Sequence, residues 1–372
     1  MRGSGRRDNS QTGGVFFASD QLLTLYQERT RTDIPPESYA ALLAEHSNDD
    51  VHVQEYRDAL VVIPPEWRYG HDHRFNLDRY LLAFMDPYQA RSYPGRFLIE
   101  DTPALLMLLE WGGTWAHFMQ DMLPLMAACR DFLASRPDLH VVMFRPEFDS
   151  FEFIVRDLLR ISNPFTMIDS KPAVHAVART LYTVHLGDYN KCSHAPARYY
   201  ARANQLLRSG LEAFAQSRGI ALSDARRPYA VYLSRKGLPR RSVINEEDIL
   251  QEIASVCHEY DAELVTFHLG IHPMDPLERF VLFYNASLVI GPDGGAACHL
   301  YFCKPWTPFI EVVSRDVYIS VENLATGIPL RYYPVVTPSL TSHHLQRKFK
   351  IKPKWIRTSV KDAWERTLSA LP

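Results

Sequence analysis

The chain has 372 residues, 46% hydrophobic and 23% charged, with a formal net charge of −2. This is an ordinary globular composition with apolar mass for a sizeable core; the length fits about two domains, and the near-zero charge excludes a global electrostatic case for nucleic acid as a partner. Five scattered cysteines, Cys129, Cys192, Cys257, Cys298 and Cys303, form no Cys-x-x-Cys pair, which argues against a disulfide framework or a structural zinc site.

Residues 1 to about 14 are basic, polar and glycine-rich and read as a disordered tail. No apolar segment follows that would make a signal peptide, and no apolar run reaches the ~18 residues of a membrane span. The expectation is a cytoplasmic protein, or one peripheral to a membrane. DALVVI (58–63) reads as a buried strand ending at Pro64-Pro65, and Thr114 to Ser135 as a helical region. LHVVMF (139–144) is strand-like, and FEFIVRDLLRI (151–161) has helical spacing. His71-Asp72-His73 invites a metal, but adjacent residues rarely converge on one ion without a further ligand, and no partner is evident.

The second half alternates more cleanly. YAVYLS (229–234) is strand-like, and Asn245 opens a helix with three acids in its first turn and a capping-box-like pairing with Asp248. AELVTF (262–267) is the next strand. Asp275-Pro276 starts a helix with Leu277, Phe280, Val281 and Tyr284 on one stripe. SLVIG (287–291) and TPFIEVV (307–313) are further strands, and the segment after 359 is a short helix. Such alternation predicts an α/β fold with a parallel sheet covered on both faces. Ligands of such sheets bind outside the carboxyl ends of the strands. The loop GPDGGAA (291–297) stands at one of those ends. Its glycines let the backbone approach an anion at a helix N-terminus, or they serve a tight turn; the loop is not Gly-x-Gly-x-x-Gly. RKFKIKPKWIR (347–357) alternates bases with apolar residues, as an amphipathic edge strand or a contact with an anionic membrane surface would.

Three segments together resemble glycosyltransferase family 61. WGGTWAHFMQDMLPLM (111–126), VYLSRKGLPRRSVINEEDI (231–249) and VIGPDGGAACHLYFCKPWTPFIEVV (289–313) match that family's motifs in order and spacing. The resemblance implies a GT-B fold, two Rossmann-like domains facing a cleft: an acceptor-side domain at 15–215, a nucleotide-sugar-binding domain at 216–340, and a segment 341–372 packing back on the N-terminal domain. It implies inverting transfer of a sugar from a nucleotide diphosphate, with UDP the prior, to a hydroxyl of a glycan or glycoconjugate. Xylose and N-acetylglucosamine are candidates by resemblance only. The alternative is a non-catalytic glycan- or nucleotide-binding relative. A sulfotransferase is disfavoured by the lack of a P-loop.

The resemblance assigns donor binding to Arg235, Arg241, Asn245, Glu246, Gly291, Asp293, Gly294, Gly295, Ala296 and Glu311. Guanidinium groups suit a diphosphate because they are always charged and bind oxygens in pairs. Arg235, Arg240 and Arg241 flank a short Gly-Leu-Pro loop; the resemblance favours Arg235 and Arg241, and solvated surface arginine is the other reading of all three. Asn245 and Glu246 also fit a helix start, and Glu311 fits a ribose-reading carboxylate or a surface acid closing a strand. His117 and Asp121 are four apart, on one face of a helix, and either suits the base that takes the acceptor's proton. Asp293 stands where the family has histidine, and an acid beside a diphosphate is unfavourable unless paired or protonated. The chain has no Asp-x-Asp motif, so the expectation is a metal-independent enzyme with no cofactor, manganese remaining open.

Overall fold

Alternating strand and helix patterns build two α/β units, one comprising Met1–Ser47 with Ala215–Pro372 and the other Asn48–Phe214. The computed structural model of the protein describes residues 14–24, 51–63, 82–84, 96–97, 102–107, 113–168, 174–186, 197–222, 227–269, 274–314, 321–337 and 348–368. The first thirteen residues of the expected tail, and His71-Asp72-His73, lie outside them. Strand β1 (Gly14–Val15) belongs to the first unit, which is otherwise C-terminal.

The N-terminal unit holds β2 (Val51–Ile63), β3 (Leu82–Phe84), β4 (Arg96–Phe97), β5 (Ala104–Leu106), β6 (His140–Phe144), β7 (Phe165–Ile168) and β8 (Val174–Leu186). Its sheet runs β3-β2-β8-β5-β6-β7, with β4 also on β8. β8, β5, β6 and β7 are mutually parallel, while β2 is antiparallel to both β3 and β8. The sheet is therefore mixed, with a parallel half and an antiparallel half. The stretch 58–63 is only the end of the longer β2.

The expected helical region comprises an α-turn Trp115–His117, a π-helical turn Phe118–Met122 and helix α1 (Leu123–Ser135). Pro124 has no N–H to give the carbonyl of Gln120, and its ring crowds that turn. The winding opens accordingly, and the N–H of Leu123 bonds to the carbonyl of Phe118, five residues back. A second π-helical segment, Phe153–Leu158, lies within the helical stretch expected at 151–161, and α2 spans Ala197–Arg218. Arg202 of α2 ties to α1 through the carbonyl of Ala127 and the carboxylate of Asp131.

The C-terminal unit adds β9 (Tyr229–Leu233), β10 (Ser242–Val243), α3 (Glu246–Glu259), β11 (Glu263–Phe267), α4 (Pro276–Tyr284), β12 (Leu288–Pro292), a 3-10 helix Gly295–Phe302, β13 (Pro308–Ser314), α5 (Val321–Gly327), β14 (Arg331–Thr337), β15 (Lys348–Phe349) and α6 (Pro353–Leu368). The main sheet is parallel in every pair and ordered β1-β14-β13-β12-β9-β11, while β10 and β15 pair separately. Both faces are buried, which is why the strands read as unbroken apolar runs. Ala230, Tyr232, Leu288, Ile290, Ile310 and Val312 share one core with Ile249, Ile253 and Val256 of α3 and with Ile356, Val360 and Trp364 of α6. Helix α4 begins with the expected Asp275 cap, a full capping box with Glu278 and Pro276 in the first turn. Its buried residues are Phe280 and Phe283 rather than the whole expected stripe.

Two features depart from the expected division of the chain. Residues 14–24 join the C-terminal unit: β1 lies parallel to β14, Phe16 stacks on Tyr333 at 5.4 Å, and Leu22 is in the core. Helix α6 packs on α3 of its own unit, with Trp364 stacked against Tyr260 at 6.2 Å. The physical reason is its buried stripe, which completes the cover of the same sheet. In the stretch 347–357, Phe349, Ile351, Trp355 and Ile356 are buried while Lys348 and Lys350 are exposed, as an edge element requires. Among the described residues no helix is long and apolar enough to cross a membrane.

Candidate functional site

In chain order the C-terminal strands are arranged second, first, third, fourth, fifth, so the order reverses between β9 and β12. A doubly wound sheet opens a crevice at such a reversal, outside the carboxyl ends of the two strands. The loops leaving those ends are 234–241 after β9 and 293–294 after β12. Gly291 lets the strands come together: a Cβ there would lie 2.5 Å from the Cβ of Leu233. Gly294 lets the loops come together, because a Cβ there would strike Nη1 of Arg235. Arg235 is otherwise held by its Nε–H, which donates to the carbonyl of Arg240 at 3.0 Å. Arg241 has φ of 55°, a left-handed backbone that costs a bulky residue about 1–3 kcal/mol. Its Nη1 donates to Oδ2 of Asp293 at 2.9 Å, with the Asp293 side chain 7% exposed and that of Arg241 35%.

These contacts set the electrostatics. Asp293, with a smaller contribution from Glu311, raises the pKa of Arg241. Burial, and then the neighbouring Arg241, pulls Arg235 down to about 10, which still leaves it charged at neutral pH. The crevice thus holds one arginine paired with an acid and a second that is half-desolvated beside it.

The arginine loop is anchored from below. Glu246 is buried and accepts from Oγ of Ser234 at 2.6 Å and from the hydroxyl of Tyr232 at 3.4 Å. Burial and the Glu246 carboxylate push the Tyr232 phenol well above its usual pKa. Ser234 also accepts from the N–H of Lys236 at 3.2 Å, and Nε2 of His268 lies 2.7 Å from the Lys236 carbonyl. Glu246 is thereby a support beneath the loop. Ser234 lies inside the Tyr-x-Ser-Arg segment that carried the resemblance, so its sequence signal was present, whereas His268 follows β11 with no motif around it.

Asn245 does not cap α3 through its side chain. Its Oδ1 accepts from the N–H of Ile351 and its Nδ2–H donates to the carbonyl of the same residue, at 3.1 and 2.9 Å. A backbone 106 positions away outcompetes the local helix end, so the capping-box expectation is corrected. The expected α-helix after the glycine loop is a 3-10 helix, in which Gly295 and Ala296 form the first turn. The Ala296 carbonyl lies 2.9 Å from Nδ1 of His299, itself packed against Phe267 and Phe283. Glu311 is buried on β13 and accepts from the hydroxyl of Tyr332 at 2.5 Å. Among the described residues no group of three or more His, Cys, Asp or Glu side chains is arranged to hold a metal ion.

In the N-terminal unit, the π-turn sets Nδ1 of His117 3.0 Å from Oδ2 of Asp121. The Asp121 side chain is 0% exposed and that of His117 34%. A buried carboxylate accepting from Nδ1–H fixes the tautomer and leaves the lone pair on Nε2. The pair thus joins a partly exposed imidazole to a buried carboxylate on one turn of the chain.

A family model described as Glycosyltransferase 61 matches residues 115–310, more than half of the chain. The class is therefore that of a glycosyltransferase. The chain belongs to glycosyltransferase family 61. No curated protein matches it.

Proposed function

We propose that the chain is an inverting, metal-independent GT-B enzyme that moves a sugar from a nucleoside diphosphate, UDP first among candidates, to a hydroxyl of a glycan or glycoconjugate. The observation that carries this reading is the meeting of Arg235, Arg241 and Gly294 at the chain reversal between β9 and β12. Guanidinium groups there bind the diphosphate and stabilise the charge that builds on it as the sugar C1–O bond breaks. His117, with Asp121 orienting its ring, is the base for the acceptor hydroxyl on this reading. Glu311, buried against Tyr332, supports the charge of Arg241 rather than meeting the nucleoside.

One observation favours a second reading. Asp293 cancels the charge of Arg241, as a relative that binds nucleotide or glycan without transfer could tolerate.

Thermal stability measured against UDP, GDP, ADP and CDP tests the site, because ligand at ~100 times its dissociation constant adds ~2.7 kcal/mol. A rise with UDP, followed by transfer from UDP-sugars to a glycan acceptor in the presence of chelator, supports the proposal. Binding without turnover supports the second reading. No rise with any nucleotide ends the donor-site reading and favours a non-catalytic, glycan-binding form of the second.

A further inference from the structure

Asp293 lies on the residue that a donor phosphate would need, and the geometry explains how it stays there. Arg241 reaches it from a left-handed backbone, the pair is 2.9 Å apart, and the carboxylate is almost wholly buried. Arg235 donates from its Nε to the Arg240 carbonyl, its Nη1 lies at Gly294, and it feels Asp293 only as a neighbouring charge, a weaker influence on it than burial and Arg241. Two cations thus share a crevice in which one is already neutralised by a carboxylate of the phosphate-side loop. A carboxylate oxygen and a phosphate oxygen use the same face of a guanidinium and the same fork geometry. Asp293 takes one N–H of Arg241, that of Nη1, so a phosphate oxygen seeking the same edge competes with it, and the carboxylate and the diphosphate repel each other.

We propose that Asp293 is an internal competitor of the donor's phosphate for Arg241, so that the donor binds by exchanging with it and Asp293 sets the affinity of the site. The inference rests on the donor-site reading above and adds to it the sign of one residue's effect. A residue that merely shapes the loop, or that touches the donor, weakens binding when altered. A competitor strengthens it.

The test uses the full chain, two probes and calorimetric titration. Inorganic pyrophosphate reads the guanidinium site alone, and UDP reads that site plus the nucleoside. Asp293→Asn binds pyrophosphate about tenfold more tightly than the wild type, the scale of one charge-assisted hydrogen bond, and binds UDP more tightly as well. In an Arg241→Ala background, Asp293→Asn gives a clearly smaller gain, the relief of charge repulsion alone, because the contested guanidinium is gone. Asp293→Ser is the second variant should the amide fail to fold, with unfolding midpoints recorded for each.

Weaker pyrophosphate binding by folded Asp293→Asn would overturn the proposal and make Asp293 the residue that aims Arg241 at phosphate. Unchanged pyrophosphate binding with weaker UDP binding would overturn it too, and would put Asp293 on a nucleoside hydroxyl. A folded wild type and folded variants that bind neither probe would instead end the donor-site reading itself. An equal gain in the Arg241→Ala background would show general repulsion rather than competition for Arg241.

Discussion

Arg235 and Arg241 differ in how their charge is balanced, and that difference predicts different mutants. Arg241 has Asp293 within 2.9 Å, whereas Arg235 relies on a backbone carbonyl and on Gly294 leaving room for its head. Arg235→Ala removes the less compensated charge, so it weakens UDP binding by about 10–100-fold while the unfolding midpoint without ligand hardly moves. Arg241→Ala removes the guanidinium hydrogen-bonded to the buried Asp293. It loses UDP binding and also lowers the midpoint, by about 1–3 kcal/mol in stability. Thermal melts with and without UDP separate the two. On the other unit, His117→Ala lowers turnover by about 10²–10⁴-fold with the KM for donor unchanged, the scale of a lost general base. Asp121→Asn lowers turnover too, since the amide no longer fixes the tautomer. A steady-state comparison in which Asp121→Asn is far worse than His117→Ala would make Asp121 the base.

At the scale of elements, the arginine loop is held by pieces remote in sequence. Asn245, one residue before α3, grips the backbone of Ile351 by two hydrogen bonds, beside the pairing of β10 with β15. Asn245→Ala leaves both Ile351 groups unpartnered by that side chain and destabilises the protein by about 1–3 kcal/mol in chemical unfolding. Asn245→Asp restores the acceptor half and recovers part of it. This clasp was not readable from the chain, because an asparagine followed by acids is equally the mark of a helix cap. The Asp275 cap was readable, since its partners Glu278 and Pro276 are local. The strands β9, β11, β12 and β13 were readable too: residues buried on both sheet faces leave continuous apolar runs bounded by turn residues. The π-turn was hidden, as a period-3.6 reading has no place for a five-residue step. Even so, the i, i+4 spacing of His117 and Asp121 was enough to pair them.

Across the whole molecule, the C-terminal unit is assembled from both ends of the chain. Leu22 is 1% exposed in the core shared by α3 and α6. Leu22→Ala therefore costs about 2–5 kcal/mol, and on the proposed donor site UDP recovers part of the loss. Nucleotide-independent unfolding in that variant would separate the N-terminal segment from the donor sheet. A two-residue strand carries no periodicity, so β1 could not be foreseen; nor could the docking of α6, since an amphipathic stripe states that it must be covered without stating by what. The glycine loop and the arginines were visible because close approach and anion recognition each demand particular residue types.

The Asn245–Ile351 clasp also orders events during synthesis. Every arginine and glycine of the crevice has left the ribosome before Ile351 has, yet the arginine loop gains that anchor only when the final strand and helix arrive. Until then the nascent chain carries the binding residues on an unclamped helix start. A message cut short after residue 345 would encode every crevice residue named above and still yield a polypeptide whose arginine loop lacks this clamp.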